Sequence, residues 1–106
     1  MANDFQPTPW GVELVWANNN KYWSRALIIA EGRGTPYLYH KKQDITILVL
    51  QGLVRLVVEG RERMLNEGSS YHIPPKLKHK IVAIKGDATI LETGTKSEDD
   101  VVLVEE

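Results

Sequence analysis

The amino-acid sequence predicts an all-β fold, and two observations support this class. Short runs rich in valine, isoleucine and aromatic residues recur along the whole chain, with turn residues between them roughly every 8–12 positions. No segment combines a helical period of apolar residues with capping residues at its ends. Many short strands joined by evenly spaced turns are typical of a sandwich or a barrel, which is the expected architecture.

The predicted elements begin after a polar arm at residues 1–8, expected to be loose. Residues 9–11 form a turn into the first strand, and residues 18–20 form the next turn. Residues 51–52 are expected to close a hairpin between two β-branched runs, and residues 85–87 to form another turn. About ten strands result, placed at 12–16, 21–30, 37–40, 45–50, 53–58, 63–65, 68–73, 79–84, 88–92 and 101–104.

A rigid corner stands out in the second half of the chain. Gly68 opens a short apolar run, which Pro74 and Pro75 end because proline cannot donate a backbone hydrogen bond. His79 follows at the head of the next strand. A histidine presented from a stiff corner beside a strand is well placed to bind a ligand.

Length and composition exclude several classes of protein. The 106 residues suffice for one domain, 1–106, and are too few for two. Without cysteine there can be no disulfide framework, zinc ribbon or thiol nucleophile. A net charge of −1 does not favour nucleic acid as a partner. No apolar run is long enough for a bilayer, and the N-terminus lacks a basic stretch followed by an apolar one, so a cytoplasmic protein is expected.

The spacing of glycines, prolines and histidines resembles the two motifs of the cupin family, G-x5-H-x-H-x4-E-x6-G and G-x5-P-x-G-x2-H-x3-N. The motif positions fall without gaps on Gly32, Leu38, His40, Ile45 and Gly52, and on Gly68, Pro74, Lys76, His79 and Ala83. The resemblance covers nearly the whole chain. It implies a double-stranded β-helix, a barrel related to the jelly roll.

A closer resemblance involves both ends of the chain. Four segments are similar to the cupin part of bacterial type II mannose-6-phosphate isomerase/mannose-1-phosphate guanylyltransferase proteins: Pro9-Trp10-Gly11, Tyr71-His72-Ile73-Pro74, Lys78-His79-Lys80 and Glu98-Asp99-Asp100-Val101-Val102. The guanylyltransferase part has no counterpart in this chain. The resemblance implies a small stand-alone cupin of the isomerase type that binds a sugar phosphate or another small molecule in the barrel.

The resemblance also implies a divalent metal, such as manganese, iron, nickel or zinc, held by the motif ligands. Only His40 and His79 are ligand types here, because Leu38 and Ile45 cannot coordinate and the motif's carboxylate is lost. Asp44, one residue away on the strand, points to the opposite face. The metal site is therefore degenerate. The alternative is that the two imidazoles only form hydrogen bonds in a polar pocket.

Three further residues are candidates for ligand binding. His72 replaces a family tyrosine and could join the histidine pair if its face of the strand points inward, which the sequence leaves open. Lys78 and Lys80 flank His79 and could contact a phosphate as point charges. The alternative for each lysine is a solvated loop. Tryptophans Trp10, Trp16 and Trp23 are expected to serve in packing rather than as sugar-stacking platforms.

Three functions remain open from the sequence. A sugar-phosphate isomerase needs an electrophile and a base, a binding protein needs only the pocket, and a metal-dependent oxygenase-type cupin needs one more ligand.

If Ile45 points inward, Leu48 and Leu50 point outward and leave an apolar patch. A homodimer is the expected cover, and packing of the N-terminal strand over the patch is the alternative.

Overall fold

The computed structural model describes residues 3–98 and 100–106, and these form strands and no helix. The nine strands are β1 Gln6–Thr8, β2 Gly11–Asn18, β3 Tyr22–Ile29, β4 Leu38–His40, β5 Ile45–Val58, β6 Arg61–Leu65, β7 Ser70–Ile73, β8 His79–Thr95 and β9 Val101–Leu103. The predicted all-β class is confirmed. Asp99 of the acidic segment and the first two residues of the predicted arm lie outside the described residues.

Two long strands, β5 and β8, replace four of the predicted short ones. The expected hairpin at residues 51–52 is wrong, because β5 continues through Gly52 for 14 residues. The expected turn at residues 85–87 is also wrong, because β8 continues through Gly86 for 17 residues. The two strands pair with each other in antiparallel fashion from Ile45↔Gly94 to Val58↔His79. Both glycines have positive φ, 92° and 73°, and because the pairing continues on both sides of them, each bends its strand instead of reversing it.

These bends change which side chains face the interior. In β5 the odd-numbered residues are buried before the bend and the even-numbered ones after it: Ile45, Ile47 and Val49, then Val54, Leu56 and Val58. In β8 the same switch occurs around Gly86: His79, Ile81 and Ala83, then Ala88, Ile90 and Glu92. An extra residue in a strand reverses its inward-facing set. Each long strand therefore lines the interior on both sides of its bend, while the residues at the bend are exposed or only partly buried.

All pairings in the curled sheet are antiparallel. The strand order is β1-β2-β3-β8-β4-β9, and β5 pairs with β6, β7 and β8. The apolar inner faces of β3, β5, β7 and β8 meet in a common core. The second half of β8 pairs with β3, and His79 at its start pairs with Leu38 of β4. This arrangement brings β3, β4 and both ends of β8 around one cavity.

The outer surface differs from expectation at the N-terminus. Residues 6–8, predicted to belong to a loose arm, form β1 and pair with Gly11–Glu13 of β2. Ile45 points inward, and Leu50 lies on the outer side with 48% of its surface exposed. None of the described residues belongs to a helix that could span a membrane.

Candidate functional site

The main cavity has a volume of about 410 Å³ and combines aromatic and apolar walls with a few polar groups. Its lining residues are Trp10, Trp23, Arg25, Thr35, Pro36, Leu38, His40, Gln43, His79, Ile81, Glu92 and Val101. A concave, largely apolar site with a small number of placed polar groups is the usual form of a small-molecule site.

The inner face of β3 supplies one wall. Residues on a strand alternate between faces, so Trp23 and Arg25 share the face of the buried Leu27 and Ile29. The strand pairing sets Arg25 directly opposite Glu92 of β8. This register brings a cation and a carboxylate together at the cavity wall.

Arg25 and Glu92 are the centre of a buried ion network. Arg25 Nε donates to Glu92 Oε1 at 2.6 Å, and Arg25 Nη1 donates to Glu13 Oε2. Glu92 is 3% exposed, so its charge would be costly to bury without the guanidinium beside it. Arg25 also lies over the Trp23 ring, 5.9 Å from its centre. The network fixes a carboxylate in the cavity wall.

The two predicted histidines do come together. Their ring centres are 6.0 Å apart and the planes are tilted by 21°. His79 Nδ1 donates to the carbonyl oxygen of Leu77 at 3.0 Å, so its Nε2 is left as the acceptor in the neutral ring. His40 Nδ1 is buried without a hydrogen-bond partner among the described residues, 3.6 Å from Asp100 Oδ2.

Asp100 and Gln43 hold the turn that follows His40. The Asp100 carboxylate accepts hydrogen bonds from the amides of Lys42 and Gln43, both at 2.8 Å. The Gln43 side chain then accepts from Trp23 Nε1 at 2.9 Å and donates to the carbonyl oxygen of Ser97 at 3.0 Å. Asp100 and Ser97 therefore position the polar cavity residue Gln43 and, through it, the ring of Trp23.

Burial lowers the pKa of His40 below its ordinary value of 6.5. The attraction of Glu92 and Asp100 acts in the opposite direction, and His79 and Arg25 lower the pKa further. The folded state thus favours the neutral imidazole of His40 at neutral pH.

This shift predicts a pH dependence of stability. The unfolded chain takes up the proton of His40 more readily than the folded chain, so the contribution to the free energy of unfolding is complete above about pH 6.5. This contribution is lost as the pH falls from about 6.5 through the lower pKa that His40 has in the folded state. Urea unfolding of the metal-free protein between pH 8 and pH 5 measures it.

The matched variants for this measurement are His40→Gln and His72→Gln. In His40→Gln the free energy of unfolding should fall less steeply as the pH is lowered, because the buried glutamine does not titrate. The second removes an exposed ring and should retain the decline. An unchanged pH profile in His40→Gln would contradict the assignment.

The other predicted site residues lie away from the cavity. His72 has a side chain that is 58% exposed, and its Nε2 is 2.5 Å from Asp44 Oδ1. Lys80 Nζ donates to Glu106 at 2.7 Å. Lys78 lines a separate depression with Tyr39 and other lysines. The structure thus brings His40 and His79 together, without His72, Lys78 or Lys80.

Sequence reasoning missed Arg25 and Glu92. The signal for Arg25 was present, because it lies two residues before Leu27 and four before Ile29 in an alternating strand. Glu92 is harder to identify, because β8 bends between His79 and this residue. It is 13 residues from His79, an odd separation that would place it on the opposite face of a regular strand. Trp10 and Trp23, expected to serve in packing, also line the cavity.

The cavity does not offer the donor set that a resident metal needs. Within residues 3–98 and 100–106, no three His, Asp or Glu side chains are grouped so that they could hold a metal ion. Two carboxylates near the histidines are already engaged: Glu92 accepts from Arg25, and Asp100, 3.6 Å from His40 Nδ1, accepts the amides of Lys42 and Gln43. Leu38 occupies a motif ligand position and presents only carbon to the cavity.

Comparison with solved structures identifies proteins of the same fold. KdgF from a Halomonas species matches with a TM-score of 0.83 and 22% identity, over 91% of this chain and 88% of that one. A sugar phosphate isomerase of the cupin superfamily from Silicibacter pomeroyi matches with a TM-score of 0.80 and 19% identity, over 90% of this chain and 66% of that one. Oxalate decarboxylase from Bacillus subtilis matches with a TM-score of 0.82 and 17% identity, over 96% of this chain and 30% of that one. At these identities the likeness concerns the fold.

Comparison with curated proteins finds no match to the sequence. The specific resemblance to mannose-6-phosphate isomerase proteins therefore stays a prediction. The family model described as the cupin domain matches residues 26–94, which is more than half of the chain. The curled antiparallel sheet, the bent pair β5 and β8, and this match agree: the chain belongs to the cupin family.

Proposed function

We propose that the protein binds a small polyhydroxylated molecule, a sugar or sugar phosphate, in the main cavity without a resident metal. The observation that carries this proposal is the buried Glu92 carboxylate, which lies in the wall of a cavity with two tryptophans. Sugars present apolar ring faces and hydroxyl edges. Trp10 and Trp23 suit the faces, and Glu92, Gln43 and the acceptor nitrogen Nε2 of His79 suit the hydroxyls.

The charge of the cavity favours the sugar moiety over the phosphate as the buried part. Arg25 is the strongest cation in the wall, and it already contacts two carboxylates. The predicted phosphate contacts, Lys78 and Lys80, lie elsewhere. A phosphate on the ligand would therefore be directed toward the solvent at the mouth of the cavity.

A binding experiment with Glu92→Gln tests the proposal. Tryptophan fluorescence is titrated with mannose, mannose 6-phosphate and fructose 6-phosphate. We expect saturable binding of at least one probe, weakened about tenfold or more in the variant, because a hydrogen bond to a charged group contributes about 1.5–3 kcal/mol. The near-isosteric amide keeps the shape of the wall.

Glu13→Gln is the matched control. Glu13 contacts the same arginine but does not line the cavity, so its substitution should leave the affinity nearly unchanged. Equal weakening in both variants would assign the effect to Arg25, and failure of all three probes to bind would refute the proposed ligand class. Metal analysis of protein purified without chelators is run in parallel. Stoichiometric metal that is lost in His79→Ala would refute metal-free binding.

A second candidate function, sugar-phosphate isomerisation, is favoured by the same carboxylate. Moving a proton between adjacent carbons requires a base within reach of the substrate. Glu92 is a carboxylate in the cavity wall, and the pKa of His40 is lowered so that a neutral imidazole is close by. An assay of mannose 6-phosphate conversion to fructose 6-phosphate tests this function. Activity that disappears in Glu92→Gln supports it, and no conversion with or without added divalent metal refutes it.

The predicted homodimer and cytoplasmic location belong to the same proposal. Leu50 is exposed on the outer face of β5, which supports the proposed apolar contact between two copies.

A further inference from the structure

A second depression, with a volume of about 660 Å³, lies on the other side of β4 from the main cavity. It is lined by Tyr39, Lys41, Lys42, Lys76 and Lys78. Tyr39 lies between Leu38 and His40, which both face the main cavity, and alternation on a strand turns its side chain to the opposite face. This depression, called here the lysine depression, is therefore separate from the site of the proposed function.

The backbone holds the four lysines in two fixed segments. The Lys41 amide donates a hydrogen bond to the backbone carbonyl oxygen of Asp100 at 3.0 Å, and the Lys42 amide donates to Asp100 Oδ1 at 2.8 Å. Lys76 donates its amide to the carbonyl oxygen of His40 at 2.6 Å, and this contact ties the two segments together. Lys76 also has a φ of 74°, a left-handed conformation that is unfavourable for a side chain with a β-carbon. The fold thus keeps a lysine at a strained position beside three others.

The lysine depression carries four positive charges. None of its four lysines forms a salt bridge with a carboxylate of the described residues. Two carboxylates lie close by, and both accept backbone amides of the same segments: Asp100 from Lys42, and Glu59 from Lys78 at 3.3 Å. The like charges repel one another, and an anion between them would relieve that repulsion.

We propose that the lysine depression binds a small anion with two adjacent phosphates, the pyrophosphate group of a larger molecule or of free pyrophosphate. Lysines act as point charges on flexible stems, so four of them can surround several phosphate oxygens without fixed geometry. The four lysines share one depression in a chain with a net charge of −1, which suits a small anion better than a long polyanion such as nucleic acid. Tyr39 adds a hydroxyl and an aromatic ring to the lining.

Calorimetric titration with inorganic pyrophosphate at low ionic strength tests the proposal. We expect one site per chain, with orthophosphate at least tenfold weaker and the affinity falling as salt is added. Two variants should each weaken pyrophosphate binding about tenfold or more: Lys41→Gln/Lys42→Gln, and Lys76→Asn. Asparagine is chosen because it adopts the left-handed conformation readily, so the backbone at this position is kept.

The matched control is Lys21→Gln/Lys85→Gln, which removes two exposed lysines that do not line the depression. It should bind pyrophosphate as the unaltered protein does. The proposal is overturned if pyrophosphate does not saturate one site, if the control weakens as much as the double variant in the depression, or if orthophosphate binds equally well. Tighter binding of a single-stranded oligonucleotide than of pyrophosphate would also overturn it. Sugar binding in the main cavity is independent of every one of these outcomes.

Discussion

Replacing Arg25 with methionine is expected to lower the free energy of unfolding by about 3–5 kcal/mol, because it leaves a buried carboxylate without its cation. Glu92 has a side chain that is only 4% exposed, and its carboxylate accepts a 2.6 Å hydrogen bond from Arg25 Nε. The variant must either bury an unpaired charge or protonate Glu92. Urea unfolding at neutral pH measures the loss.

Two control variants separate this effect from a general loss of charge. Arg25→Met/Glu92→Leu removes both charges and should recover much of the lost stability, since apolar pairs replace buried ion pairs at little cost. Arg55→Met breaks an exposed contact, 3.9 Å from Glu62, and should cost less than about 1 kcal/mol. If Arg25→Met is no more destabilising than Arg55→Met, the buried network does not stabilise the fold.

Gly52→Ala is expected to cost about 2–5 kcal/mol, from left-handed strain and from overpacking at the bend of β5. Gly52 has a φ of 92°, and a β-carbon there would lie 2.7 Å from the backbone carbonyl oxygen of Asp87 in the partner strand. Backbone of β8 cannot move away without shifting the register that it shares with β5. Thermal and urea unfolding measure the change.

Gly86→Ala is the matched control for this variant. Gly86 has a φ of 73°, and a β-carbon there would meet nothing within 4 Å. Its substitution should cost only the conformational strain, about 1–2 kcal/mol. If both substitutions lower the free energy of unfolding equally, the close approach of the two strands at Gly52 adds nothing to the cost of Gly52→Ala.

Much of the fold could be predicted from the sequence, because alternation of apolar residues reports buried faces directly. The inward positions Ile45, Ile47 and Val49 follow from it. The connection between strands could not be predicted in the same way. A glycine with positive φ suits both a hairpin turn and a bend within a strand, and Gln51-Gly52 matches the local chemistry of either. Only the pairing of β5 with β8 decides between them.

The candidate site was predictable in part for a related reason. His40 and His79 follow from motif spacing, since the scaffold that separates them is common to the family. Glu92 does not, because its inward direction depends on the bend at Gly86, 6 residues earlier in the strand. A change of alternation was visible in the sequence, from Ile81 and Ala83 to Ala88 and Ile90. That change of phase is the signal that identifies Glu92.

The segments outside the matched range 26–94 have a consequence for comparing this protein with its relatives. Trp10, Trp23, Arg25 and Val101 line the cavity and all lie outside that range, as does Asp100, which positions the turn after His40. The common part of the barrel therefore supplies a frame, and the flanking segments supply much of the wall against which a ligand rests. Ligand preference in such a protein can diverge through exchange of its flanks while the barrel sequence remains recognisable.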